Sequence, residues 1–181
     1  MKGMVFTAFI GFVEDEFGLE IADEMISATN STSGGAYTST GNYGYEELAN
    51  MLQVLGELTG TSVTNLLHAF GCKLFQLLMQ THPEIIAHAD NAFELIMGID
   101  DHIHVNVLKL YPDAELPKFS AELQTPNKLE LIYQSTRGLA DLAHGLLEGC
   151  LKFFNEEAEI SQEDLSGGQA THVRFMIEMK S

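Results

Sequence analysis

Apolar positions recur at helical spacing through the first two thirds of the chain, then switch to strand-like alternation beyond Pro117. Val5, Phe9, Phe12, Val13 and Glu16 fall at spacings near 3 and 4, which predicts a half-buried helix over about residues 5–17. A second helix is expected over about 19–28, and a third from about Tyr45 to Leu58, closed by Thr59-Gly60. Between them, Asn30-Ser31-Thr32-Ser33-Gly34-Gly35 is turn chemistry. Thr61 or Ser62 is placed to cap a fourth helix reaching about Gln80, with Gly71 as a kink or a point of close packing. Pro83 suits the first turn of a short helix, and a longer helix is expected over about 92–110, stopping before Pro112.

After Pro117, residues 119–124 and 128–134 read as a hairpin around Thr125-Pro126-Asn127. A helix over about 139–154 follows, then strands near 158–162 and 172–179 that flank Ser166-Gly167-Gly168. In the last of these, Val173, Phe175 and Ile177 alternate with Arg174, Met176 and Glu178, the signature of a strand with one buried face. The pattern predicts an α+β fold: a mostly helical N-terminal part, then a small four-stranded antiparallel sheet packed with a helix. One domain over 1–181 is expected, with a helical subdomain over about 1–60 and the remainder in 61–181.

Composition narrows the function classes. A net charge of −17 excludes a nucleic-acid binder, which needs clustered Lys and Arg, and disfavours an anionic membrane surface. The two cysteines, Cys72 and Cys150, make neither a disulfide framework nor a multi-cysteine zinc site, and suit buried thiols in a reducing cytoplasm. The amino terminus lacks a signal-peptide layout, and no apolar run is long enough to span a bilayer.

Two features carry chemistry. Tyr133-Gln134-Ser135-Thr136-Arg137, read as extended chain, puts two hydroxyls and a guanidinium on one face, a constellation that suits carboxylates or phosphates. With seven lysines and two arginines, the chain uses arginine sparingly, as it would where a bidentate fork is required. The second feature is His102-Ile103-His104. Read as continuous α-helix, residues two apart point about 200° away from each other, so the two histidines cannot share an ion. His104 then shares a face with Phe93, Met97, Leu108 and Tyr111, whereas His102 lines up with Gly98, Asn106 and Lys109. A histidine on an apolar face is either a hydrogen-bonded core residue or a metal ligand, and the pattern leaves both open. His68, His82, His88, His144 and His172 form no recognisable ligand spacing.

A single buried histidine and a separate Tyr/Ser/Arg anion clamp are what a haem requires. In these residues the chain resembles the H-NOX family, the haem nitric oxide/oxygen binding domains related to the haem domain of soluble guanylate cyclase. The family's Tyr-x-Ser-x-Arg motif stands at Tyr133, Ser135 and Arg137, its proximal histidine at His104, and its haem-distorting proline at Pro117. Similarity extends through Met1-Lys2-Gly3, Phe70-Gly71, Gly145-Leu146-Leu147-Glu148-Gly149 and Lys152-Phe153-Phe154.

The resemblance implies a non-covalent b-type haem buried between the two parts of the fold, with its propionates on Tyr133, Ser135 and Arg137 and its iron on His104. It also implies Leu142 at the position of the tyrosine that stabilises oxygen in some relatives, with Phe9 and Leu74 as its neighbours and Val5 and Leu78 completing an apolar lining. Read from apolarity alone, these five residues are equally well core. With no distal donor, the expected function is a cytoplasmic sensor of nitric oxide, also binding CO, that excludes oxygen. NO weakening or breaking the Fe–His104 bond would alter a surface that regulates a histidine kinase, or a diguanylate cyclase or phosphodiesterase, in trans. The competing readings are a non-haem metal or acid/base enzyme built on His104 with Asp100 or Asp101, and a haem-free module binding phosphate at the Tyr/Ser/Arg face.

Overall fold

Helices form the first of two units, Met1–Phe70, in a computed structural model that describes residues 1–87 and 89–180. His88 lies outside the described residues. Helix α1 spans Gly3–Phe17, α2 Leu19–Thr29, α3 Tyr45–Thr59 and α4 Val63–Thr81, the last continuing into the second unit. Of the face predicted for α1, Phe9, Phe12 and Val13 are buried, joined by Phe6, while Val5 is half-buried and Glu16 exposed. Helix α2 buries Ala22 and Met25, and α3 buries Leu48, Met51, Leu52 and Leu55. Each of the larger side chains, the Phe, Val, Met and Leu residues, contributes about 1.5–3 kcal/mol relative to remaining exposed. Gly60, at φ 68°, ends α3 in the left-handed conformation that a side chain disfavours. Ser62 then accepts the Asn65 amide at 3.2 Å, so of the two candidate caps it is Ser62 that opens α4. The Asn30–Gly35 turn is anchored by Glu47, whose carboxylate accepts hydrogen bonds from Thr32, Ser33 and Tyr37.

The second unit, Gly71–Ser181, holds the sheet. After a short 3-10 turn at Pro83–Ile86 come α5 (Ala92–Met97) and α6 (Val105–Leu110), then β1 (Lys118–Thr125), β2 (Lys128–Gln134), α7 (Ala140–Phe153), β3 (Ala158–Asp164) and β4 (His172–Met179). The strands are antiparallel in the order β1-β2-β4-β3. Period-2 alternation puts Leu129, Leu131 and Tyr133 of β2 on the buried face with Val173, Phe175 and Ile177 of β4. Against that face pack Ala143, Leu147, Cys150 and Leu151 of α7 together with Phe93, Leu95 and Ile96 of α5. The α+β architecture read from the pattern is the one observed.

The single helix expected over residues 92–110 is not formed. It stops at Met97, and Ile99–His104 winds as one π turn before α6 begins. The Gly98 carbonyl accepts both the His102 amide at 2.9 Å and the Ile103 amide at 3.2 Å, which inserts an extra residue into the turn. That insertion shifts the helical phase, so the face predicted for His104 is only partly buried: Phe93 is buried and Tyr111 half-buried. Met97 and Leu108 are exposed, while Ile99 and Ile103 pack partly buried on the core.

Within this unit α4 and α7 approach at backbone distance. A Cβ on Gly71 would fall inside the radius of the Leu142 carbonyl oxygen and 2.9 Å from Gly145 Cα, and one on Gly149 would stand 2.7 Å from Phe75 Cβ. Gly71 is therefore a close-packing point.

Candidate functional site

The π turn aims His104 and supplies its partner. Asp100, four residues earlier, brings Oδ1 to 2.7 Å from His104 Nδ1, and its Oδ2 accepts the backbone N–H of Phe119 at 3.0 Å. The second contact leaves Asp100 across the chain, onto the start of β1. A carboxylate on Nδ1 makes that nitrogen the protonated one and leaves Nε2 with its lone pair, the form a metal binds. Burial holds the His104 pKa below its ordinary value, against the opposing pull of the Asp100 charge, so the ring is neutral at neutral pH. Of the two acids considered for an acid/base pair, Asp101 is exposed, and Asp100 commits its second oxygen to Phe119. His102 is exposed and lies over Gly98, away from His104.

An aromatic row joins His104 to the Tyr/Ser/Arg motif. The Phe119 ring is centred 5.8 Å from the His104 ring and 5.5 Å from that of Tyr133. Tyr133 ends the buried face of β2, and its hydroxyl accepts the Leu139 amide at 3.1 Å just before α7. The three motif residues do not lie on one extended strand, as the spacing predicted. The strand ends at Gln134, and Ser135 and Arg137 sit in the turn beyond it. Ser135 Oγ accepts the Arg137 amide at 3.2 Å and Ser135 N donates to Thr171 O at 2.9 Å, so the turn is fixed from two sides. Gly138, at φ 63°, completes it.

Arg137 is not open on all sides. Nη1 donates to the Glu115 carbonyl at 2.9 Å and Nη2 to the Glu115 carboxylate at 2.5 Å. Pro117 lies two residues beyond Glu115, immediately before β1. The motif can hold an anion through the Tyr133 and Ser135 hydroxyls and the remaining N–H groups of Arg137.

Of the apolar residues predicted to line a gas pocket, Leu74 and Leu142 are buried and Leu78 half-buried in the second unit. In the first unit Phe9 is fully buried, edge-on to Phe70 at 5.1 Å, and Val5 is half-buried. His144, two residues beyond Leu142 on α7, turns to the sheet, where its Nδ1 lies 2.9 Å from Gln162 Oε1 and its ring meets Phe175 edge-on. Sequence reasoning missed Glu115 altogether and saw Asp100 only as a local neighbour of His104. Their long-range contacts lie 22 and 19 residues away, beyond any periodic signal.

A non-covalently held haem needs one neutral imidazole nitrogen and counter-charge for two carboxylates, and this donor set fits. The chain matches the haem-NO-binding family over residues 2–162. It is similar to the unliganded Fe(II) H-NOX protein of K. algicida at 38% identity, TM-score 0.94, over 100% of this chain and 97% of that one. The Fe(II)CO H-NOX of Shewanella woodyi is 42% identical, TM-score 0.84, with 99% and 95% covered. The Fe(II)NO form of the S. oneidensis H-NOX is 29% identical, TM-score 0.92, with both chains covered in full. A comparison with curated proteins finds no match.

Proposed function

The chain belongs to the haem-NO-binding or H-NOX family of haem-based gas sensors, and from that membership we propose a sensor selective for nitric oxide over oxygen. The observation that carries the proposal is the pairing of a neutral, Asp100-oriented His104 with an α7 position, Leu142, that offers no hydrogen bond.

In this reading His104 Nε2 holds the iron of a b-type haem, and Tyr133, Ser135 and Arg137 take its propionates. A ferrous haem held by these residues would supply the chemistry that binds a diatomic gas, and nitric oxide would weaken its attachment to His104. A haem pocket that keeps oxygen would need a hydrogen-bond donor beside the gas, which NO and CO would need far less. Leu142, Leu74 and Leu78 provide none. The chain's own part is positional. Asp100 fixes the His104 tautomer and ties it to Phe119, so a change at His104 reaches the segment bearing Pro117. The π turn and that segment form the two-state element through which a partner is regulated. The partner in this reading is a histidine kinase or an enzyme of cyclic-di-GMP turnover. Cytoplasmic residence accords with Cys72 and Cys150 being free thiols, and no helix among the described residues is long and apolar enough to cross a membrane.

Optical spectroscopy of the purified protein tests this directly. A Soret band that shifts with NO and CO but not with air is expected. A preparation that stays colourless after incubation with haemin would end the proposal, and a stable oxy spectrum would end its selectivity.

A further inference from the structure

We propose that Glu115 is a positioning residue of the anion clamp: it aims Arg137 at the haem carboxylates and straps the Pro117 segment to the clamp. This rests on the reading of Arg137 as a propionate partner. The geometry is two-pronged, because Glu115 offers its backbone carbonyl to Nη1 and its carboxylate to Nη2, at 2.9 and 2.5 Å. One residue thus engages both arms of the fork. The Arg137 side chain is 15% exposed and that of Glu115 84%. The acid therefore reaches inward from solvent to a guanidinium that is largely covered.

Five N–H groups are available on a guanidinium, and Glu115 uses two. The Nε–H and one N–H on each arm remain for a ligand carboxylate. The pair lines an open cleft of about 640 Å³ with Ser135 and Thr171, so an anion has room to approach without expelling Glu115. Two effects oppose each other here. Glu115 repels an incoming carboxylate, and it also removes the rotamer freedom Arg137 would otherwise lose on binding one. The repulsion comes from a side chain standing mostly in water, where it is strongly screened, whereas the ordering acts on a covered group. Ordering wins.

The contact also sets the chain between α6 and β1. Ala114 N donates to Tyr111 O at 2.9 Å, Glu115 is held by Arg137, and Phe119 N is held by Asp100 at 3.0 Å. Pro117 lies between the last two anchors. One of them leads to the propionate clamp and the other to the ring partner of His104. Releasing Glu115 frees one end of the strap and leaves the other attached.

The test compares Glu115→Ala and Glu115→Gln with the wild-type chain. Haem loss is followed by transfer to excess apomyoglobin, and backbone amide exchange is followed across residues 112–118. Glu115→Ala is expected to lose haem on the order of 2- to 5-fold faster, the scale of one partly exposed charge pair, with faster exchange confined to that segment. Glu115→Gln should fall between, because its amide oxygen still accepts from Arg137. An unchanged thermal midpoint in both variants marks the effect as local. Equal haem loss and equal exchange in Glu115→Ala would overturn the proposal. So would slower haem loss, which would make Glu115 a competitor. A wild-type chain that takes up no haem overturns the sensor reading as well, whereas haem binding indifferent to Glu115 overturns this inference alone.

Discussion

His104 Nδ1 lies 2.7 Å from Asp100 Oδ1, and the other oxygen of that carboxylate holds the backbone of Phe119. With Nδ1 as the protonated nitrogen both contacts are acceptor contacts, and a carboxylate has one oxygen for each. An amide in its place offers one oxygen and one NH₂ group. If its oxygen faces His104, the NH₂ confronts the Phe119 N–H; if it faces Phe119, the NH₂ confronts Nδ1 and drives the ring to its other tautomer.

Asp100→Asn is therefore expected to damage ligation at His104 more than its small change in size would imply. Loss of an oriented outer partner commonly costs a metal site about 10- to 100-fold in affinity. Haem affinity should fall within that range, and the Fe(II)–His stretching frequency should drop as the ring loses basicity. Resonance Raman spectra of the variant check this, and an unchanged frequency would mean that the Asp100 charge does not reach the iron.

His104 also gives the haem-free chain a pH signature. Burial lowers its folded pKa below the ordinary 6.5, so below that pH the unfolded chain binds the extra proton more readily than the folded one. Stability is complete above pH 6.5 and falls as pH drops through the depressed folded value. Urea denaturation of the haem-free chain between pH 7.5 and 5 should show this decline, and His104→Gln should flatten it. An NMR titration of the His104 ring with a midpoint above 6.5 would reverse the sign and refute the assignment.

Removing the imidazole gives a cleaner test of ligand identity. His104→Gly is expected to lose the five-coordinate ferrous spectrum and to regain it when free imidazole is supplied to the space left by the side chain. If the spectrum survives without imidazole, His102 is the ligand, despite being exposed and directed over Gly98.

The two thiols should behave differently. Burial pushes Cys150 up to about 12, and its Sγ lies 4.0 Å from the Ala92 carbonyl, whereas Cys72 is half-buried with a smaller upward shift. Since the thiolate is the nucleophile, iodoacetamide at pH 8 should modify Cys72 slowly and Cys150 only when the chain opens. Mass spectrometry of the folded protein reads this directly, and rapid labelling of Cys150 would contradict its burial.

Much of this was legible in the sequence because local patterns wrote it. The alternation of Val173, Phe175 and Ile177 fixed the buried face of β4, and the Tyr-x-Ser-x-Arg spacing marked the candidate anion clamp. The helix around His104 was misread for a physical reason. Periodicity assumes a constant number of residues per turn, and the shared acceptor at Gly98 breaks that assumption without any change in residue type. Asp100 with Phe119 and Glu115 with Arg137 depend on chain segments meeting through the fold, and no spacing rule marks them.

Two glycines separate packing from backbone freedom in a way that denaturation can read. A methyl group on Gly71 would collide with the Leu142 carbonyl oxygen and approach Gly145 Cα and Leu146 N at 2.9 Å, all of them backbone atoms with no rotamer to yield. The same group on Gly11, in α1, would meet nothing within 4 Å. Gly71→Ala should therefore force α4 and α7 apart at a cost of about 1–3 kcal/mol, as overpacking does. Gly11→Ala should instead stabilise by about 0.4–1 kcal/mol, because it removes freedom from the unfolded chain without straining the folded one. Urea midpoints of the two variants should move in opposite directions from wild type. Because Leu142 supplies the obstructing carbonyl, Gly71→Ala should also change the NO spectrum while Gly11→Ala leaves it alone. If both variants gain stability, α4 and α7 do not meet at backbone distance.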